Sequence, residues 1–89
     1  MTERVDYLEN FRHNLRLLRQ HRKYSRAELA RRVGITPQYI ATLESGDAQK
    51  SPSLEKLVKI ANALGTTPGK LLEVKSSTDL RKYIREKFS

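Results

Sequence analysis

The sequence predicts an all-α fold: a compact bundle of five short helices, followed by a further, amphipathic C-terminal helix. Three observations carry that prediction. Apolar residues recur at three- and four-residue steps through most of the chain. The apolar runs open on Ser, Thr or Asp, and several close on glycine. No cysteine occurs among the 89 residues, so helix packing has to hold the domain without disulfides or a zinc–thiolate site.

Residues 2–22 read as the first helix, with Leu8, Phe11, Leu15 and Leu18 on its inner face. Asp6, with Glu9 three residues on, offers one start; Val5 extends the helix upstream in the alternative. The stretch SRAELARRVGITPQYIATLESG (25–46) then reads as two short helices joined by a tight turn. Ser25 and Glu28 have capping-box spacing, each able to satisfy a free N–H of the other, and Tyr24 with Leu29 has the spacing of a hydrophobic staple. Leu29, Ala30 and Val33 form a narrow apolar stripe that Gly34 ends. Thr36 caps the next helix, Pro37 takes the position where a missing N–H costs nothing, Ile40 and Leu43 face inward, and Gly46 closes it. Two helices of about eight residues on so short a turn cannot bury much side by side, so they cross steeply, as in a helix-turn-helix.

After the polar loop DAQKSP, Ser53 caps a fourth helix running to about Leu64. Leu54, Leu57, Val58, Ile60, Ala61 and Leu64 give it an apolar face broad enough to predict a position in the middle of the core. Gly65 ends it, and Thr67-Pro68 starts a fifth helix carrying Leu71 and Leu72. Residues 74–78 (VKSST) read as a linker. Residues 79–88 (DLRKYIREKF) predict the C-terminal helix, with Leu80, Tyr83, Ile84 and Phe88 on one side. This tail either covers the N-terminal extension (Val5, Tyr7, Leu8) or packs against a second subunit. The chain thus divides into an N-terminal extension of helix one (1–10), a central domain (11–73) and a linker with its amphipathic helix (74–89).

The net charge of +8 is unevenly spread: +5 over residues 1–32, zero over 33–74 and +3 over 75–89. Such a balance fits a polyanionic partner, nucleic acid or an acidic surface. No apolar run approaches membrane-spanning length and the start is charged, which predicts a cytoplasmic protein without membrane contact. Enzyme readings find little support. His13 and His21 stand eight apart without cysteine companions, so no metal is expected, and no cofactor. GTTPGK (65–70) lacks the spacing of a phosphate loop and the Ser/Thr that follows its lysine.

From Phe11 to Leu72 the chain resembles the Cro and lambda-repressor class of helix-turn-helix domains, the xenobiotic-response-element family. The matching pieces are LRLLR (15–19), SRAELA (25–30), the GIT turn (34–36), YIATLESG (39–46), PSLEKLVKIANALG (52–65) and P-x-x-L-L (68–72). Each is weak alone; their order and spacing are specific. The resemblance implies a lambda-repressor-like bundle that binds double-stranded DNA as a dimer on a near-palindromic site, as a repressor. It implies that the second helix of the motif, 37–45, reads the major groove.

On that reading Gln38 is the strongest base reader, since its amide can pair with adenine N6 and N7. Thr42 can bond a base or touch a thymine methyl. Tyr39 can bond a phosphate or cover a base. Pro37 stands where the family often places a polar reader and offers apolar contact alone. Phosphate contacts fall to Arg26, Ser25, Lys50 and Ser53, with Gln49 a weaker candidate. Arg26 departs from the uncharged polar residue usual in the family, implying firmer phosphate contact or a reach to guanine. The resemblance also implies an internal ion pair between Arg19 and Glu44, whereas Arg4, Arg12, Arg16, Arg22, Arg31 and Arg32 read mainly as solvated helix faces. The competing reading is an antitoxin or other partner-binding regulator that holds a protein through Leu80, Tyr83, Ile84 and Phe88.

Overall fold

A computed structural model describes residues 6–46, 51–73 and 85. Five helices make up the domain: α1 (Tyr7–His21), α2 (Arg26–Val33), α3 (Pro37–Ser45), α4 (Leu54–Leu64) and α5 (Pro68–Glu73). No strand occurs among the described residues. The amphipathic tail, the linker, residues 1–5 and the loop that carries Gln49 and Lys50 lie outside them, apart from Arg85, which is helical and exposed.

All five helices start on side-chain caps. Asp6, Ser25, Thr36, Ser53 and Thr67 each accept a hydrogen bond from the backbone N–H three residues on, at Glu9, Glu28, Tyr39, Lys56 and Lys70. Helix α1 therefore begins after Asp6; Val5 lies outside the described residues. At α2 the capping box is half made. Ser25 accepts from the Glu28 N–H, but the Glu28 carboxylate is drawn outward by Arg31 and Arg32. Charge-assisted bonds outcompete the neutral backbone donor.

The helix ends show one motif in two chemistries. At the end of α4, Gly65 adopts φ 74° while its N–H bonds the Asn62 carbonyl and the Thr66 N–H bonds that of Ala61. At the end of α1 the same pair of bonds runs from Lys23 to Gln20 and from Tyr24 to Arg19, with Lys23 at φ 60°. Both are Schellman closures. Lysine fills the left-handed position in the second, where its Cβ is strained.

The core is formed by Phe11, Leu15 and Leu18 from α1, Leu29, Ala30 and Val33 from α2, Ile40 and Leu43 from α3, Leu57, Ile60, Ala61 and Leu64 from α4, and Leu71 from α5. Helix α1 packs on α3 and α5, and α2 packs on α3 and α4. The buried face of α4 is narrower than its sequence predicts: Leu54 is 75% exposed and Val58 39% exposed. With α2 on one flank and the short α5 on the other, nothing described covers those two residues.

Polar groups tie the helix ends together. Asn14 is fully buried and its Nδ2 donates to the Leu71 carbonyl at 2.9 Å; Asn10 Nδ2 does the same for Leu72, also at 2.9 Å. Arg22 Nε reaches the Leu64 carbonyl at 3.2 Å. These carbonyls belong to last turns, which have no intrahelical donors of their own. Arg22, whose spacing suggested a solvated face, is thus part of the closure of α4.

Candidate nucleic-acid interface

The second helix of the motif presents its first turn to solvent because Thr36 and Pro37 set its start and Ile40 and Leu43 fix its rotation. Both apolar residues are fully buried, which leaves Pro37 and Gln38 exposed and Tyr39 and Thr42 half-buried. The Thr42 hydroxyl donates back to the Gln38 carbonyl at 3.0 Å. Its lone pairs and methyl stay available to a base, but its proton is engaged. Tyr39 packs on the rim of the core, with the Lys56 ammonium 5.6 Å from the centre of its ring. That contact brings the first turn of α4 beside α3. Sequence reading missed Lys56, since nothing in a 17-residue separation signals it.

At the far end of α3, about 9 Å along its axis from Gln38, lies a compact charge cluster. Arg19 donates to Glu44 through Nε at 2.7 Å and through a terminal nitrogen at 3.0 Å, while its other terminal nitrogen reaches the Tyr24 carbonyl at 2.9 Å. Arg19 is 8% exposed, and the Glu44 side chain 2% exposed. Arg26 Nε also donates to Glu44, at 3.1 Å, from a side chain that is 48% exposed. One carboxylate therefore bridges α1, α2 and α3. The Arg19–Glu44 fork is strong and directional and sets α3 against α1, while Arg26 adds a single bond from α2.

Ser25 and Ser53 already accept cap hydrogen bonds, and each hydroxyl keeps a proton that it can donate outward. Arg31 and Arg32 share Glu28 on the outer face of α2, and Arg32 also lies over the Tyr24 ring, 4.5 Å from its centre. The hydrogen bond from Arg31, with the nearby charge of Arg32, holds the Glu28 carboxyl below the usual carboxylate range; the same bond raises Arg31. Arg12 lies against the end of α3, where a Cβ at Gly46 would come within 2.7 Å of the Arg12 Nε. Glycine serves there for its φ of 76° and for this close approach. Among the described residues no group of His, Asp or Glu is placed to hold a metal ion.

A helix-turn-helix whose second helix exposes its first turn and is tied at its far end by an internal ion cluster defines the class. The chain belongs to the Cro/CI-type, or xenobiotic-response-element, helix-turn-helix family of DNA-binding transcription regulators: residues 15–71 match the family's helix-turn-helix model. It is 36% identical over 75 residues to the uncharacterized HTH-type transcriptional regulator YozG of Bacillus subtilis, covering 84% of this chain and 87% of that one. An uncharacterized HTH-type transcriptional regulator of Methanothermobacter thermautotrophicus is 50% identical over 52 residues, covering 55% of this chain and 72% of that one. Among solved structures, hydroxypropylphosphonic acid epoxidase from S. wedmorenis superposes with a TM-score of 0.69 at 30% identity over 82% of this chain. The chain spans only 38% of that epoxidase, so the likeness concerns one small helical domain and says nothing of the epoxidase's chemistry. No helix among the described residues is long and apolar enough to cross a membrane.

Proposed function

We propose that this chain is a sequence-specific double-stranded DNA-binding regulator, acting in the cytoplasm as a dimeric repressor on a near-palindromic operator. The observation that carries the reading is the exposed first turn of α3, with Gln38 presented to solvent on a helix whose far end Glu44 anchors to α1 and α2. Gln38 reads an adenine edge, Pro37 and the Thr42 methyl supply apolar contact, and Tyr39 lies against the backbone.

Affinity comes from the phosphates. Arg26, with Nε held by Glu44 and its guanidinium half exposed, is an oriented donor, so little side-chain entropy is lost on contact. Ser25, Ser53, Lys50 and Gln49 complete the set, and Lys56 joins it from beside Tyr39. If each subunit engages about four phosphates, log K falls with log salt at a slope of roughly −7 for the dimer. Selection of bound sites from random DNA tests the reading: it predicts two inverted half-sites about one helical turn apart. Recovery of no enriched sequence, or a nearly salt-independent affinity, would refute it.

A further inference from the structure

Three large apolar side chains are exposed among the described residues: Tyr7, Leu54 and Val58. Between the start of α1, the start of α4 and the end of α5 runs an apolar groove of about 220 Å³, lined by Tyr7, Leu8, Phe11, Pro52, Leu57 and Leu72. Leu54 lies one turn before Leu57, and Val58 follows it. Unlike the charge cluster behind α3, this side offers almost no polar atoms to a ligand, so its occupant has to be an apolar helix face or strand.

We infer that the groove is the docking site of the chain's own C-terminal segment, residues 79–88, bound in cis as a helix. Where the described chain ends is the first reason. Leu72 lines the groove, and Asn10 holds the Leu72 carbonyl at 2.9 Å, so α5 delivers the chain to the groove's rim. Five residues, 74–78, separate Glu73 from Asp79; extended, they reach about 17 Å, and a ten-residue helix is about 15 Å long. The tail can therefore start near the rim and lie along the groove.

Its pattern is the second reason. Leu80, Tyr83, Ile84 and Phe88 fall on one face of a 3.6-residue period, and Arg85, helical and exposed, falls on the opposite face. Charge is the third. The segment carries Arg81, Lys82, Arg85 and Lys87 against Asp79 and Glu86, and acidic Asp6 and Glu73 adjoin groove residues Tyr7 and Leu72.

Tethering decides between this chain's tail and a second copy's. A short linker holds the segment at an effective concentration in the millimolar range, well above the concentration of a cellular regulator. The dock and the tail also need each other, because an isolated helix of about ten residues is marginal in water. Ser51 and Pro52 line the same groove, so a docked tail braces the chain entering α4. This inference stands whether or not α3 reads DNA.

The absence of cysteine makes the test direct, since no native thiol competes with the two introduced ones. In the full chain, Tyr7→Cys is combined in turn with Leu80→Cys, Tyr83→Cys and Ile84→Cys, oxidised over a range of protein concentrations, and run on non-reducing gels with mass analysis. At least one pair closes as an intramolecular disulfide whose yield does not change with concentration, whereas His21→Cys with Ile84→Cys stays reduced. Dimers that grow with concentration and in which peptide mass analysis finds the α1 cysteine of one chain joined to the tail cysteine of another would assign the groove to a second copy. Cysteines left free in all three pairs would leave the tail undocked, and either result overturns the inference. Amide exchange with Ile84→Asp gives an independent reading: protection is lost at Phe11 and Leu57 and kept at Ile40 and Leu43. Unchanged protection at Phe11 and Leu57 overturns it as well.

Discussion

In its C-terminal half, α1 is fastened to α3 through charge, whereas nearer its N-terminus it meets α5 through two asparagine amides and an apolar groove. The first junction has one geometry. A guanidinium fork seated on a buried carboxylate cannot slide by a turn without leaving both charges unpaired in a poorly solvated place. The second junction is adaptable, because apolar surfaces repack at small cost and accept more than one neighbour. The contrast matches the two proposals made for these ends: reading a DNA groove would need a fixed angle, whereas receiving a tethered segment would need only shape and apolar area.

The largest expected effect falls on the charged junction. Glu44→Ala leaves Arg19 nearly buried with only the Tyr24 carbonyl, and should cost about 3–5 kcal/mol in urea unfolding. Arg26→Ala removes the half-exposed partner and should cost about 0–1 kcal/mol, while weakening specific and random DNA alike and flattening the salt slope. At the other junction Asn14→Ala orphans the Leu71 carbonyl, for about 1–3 kcal/mol. If Asn14→Ala proved costlier than Glu44→Ala, the assignment of rigidity to the charged end would be wrong.

Gln38→Ala should leave the fold intact and cost about 1–3 kcal/mol on the preferred site, with discrimination relaxed at one position; competition binding against random DNA measures it. Equal losses on both DNAs would remove Gln38 from the base readers. Lys23→Gly sharpens the comparison of the two Schellman closures. It relieves a strained left-handed lysine, and after glycine's greater chain entropy should still stabilise by about 0.5–1 kcal/mol in thermal unfolding. The smallest effect is the acid dependence of Glu28. Its carboxyl is held below the ordinary range in the folded state, so its contribution is present at neutral pH and lost as the pH falls through that lowered value. Glu28→Gln should flatten the acid limb of a Tm-against-pH profile slightly, the pair being exposed.

Much of the architecture was legible because helix boundaries are written locally. Ser25, Thr36 and Ser53 act within three residues of themselves, and Gly34, Gly46 and Gly65 relieve strain at their own φ. The apolar period was a weaker guide wherever it had to say how much is covered. Leu54 and Val58 look as apolar as Leu57 and Ile60, and only their neighbours distinguish them. Lys23 gave no signal at all, since lysine is not a residue that ordinarily announces a left-handed turn. At the candidate site, the outward set of α3 followed from the rotation that Ile40 and Leu43 impose. The engagement of the Thr42 proton and the approach of Lys56 to Tyr39 did not.

What the sequence by itself determined is therefore the order of the helices, their caps and stops, the core stripe and the turn that makes two of them a helix-turn-helix. All of these rest on interactions spanning a few residues, whose energetics depend on residue type and spacing. The tertiary structure alone decided that Glu44 serves Arg26 as well as Arg19, that Arg22 and two asparagines close helix ends, and that one apolar side stays uncovered by the five helices. Those contacts join residues 18 to 62 positions apart. No local preference encodes them; they exist because packing the apolar stripes brings distant donors and acceptors within hydrogen-bond reach in surroundings too poor in water to leave them unpaired.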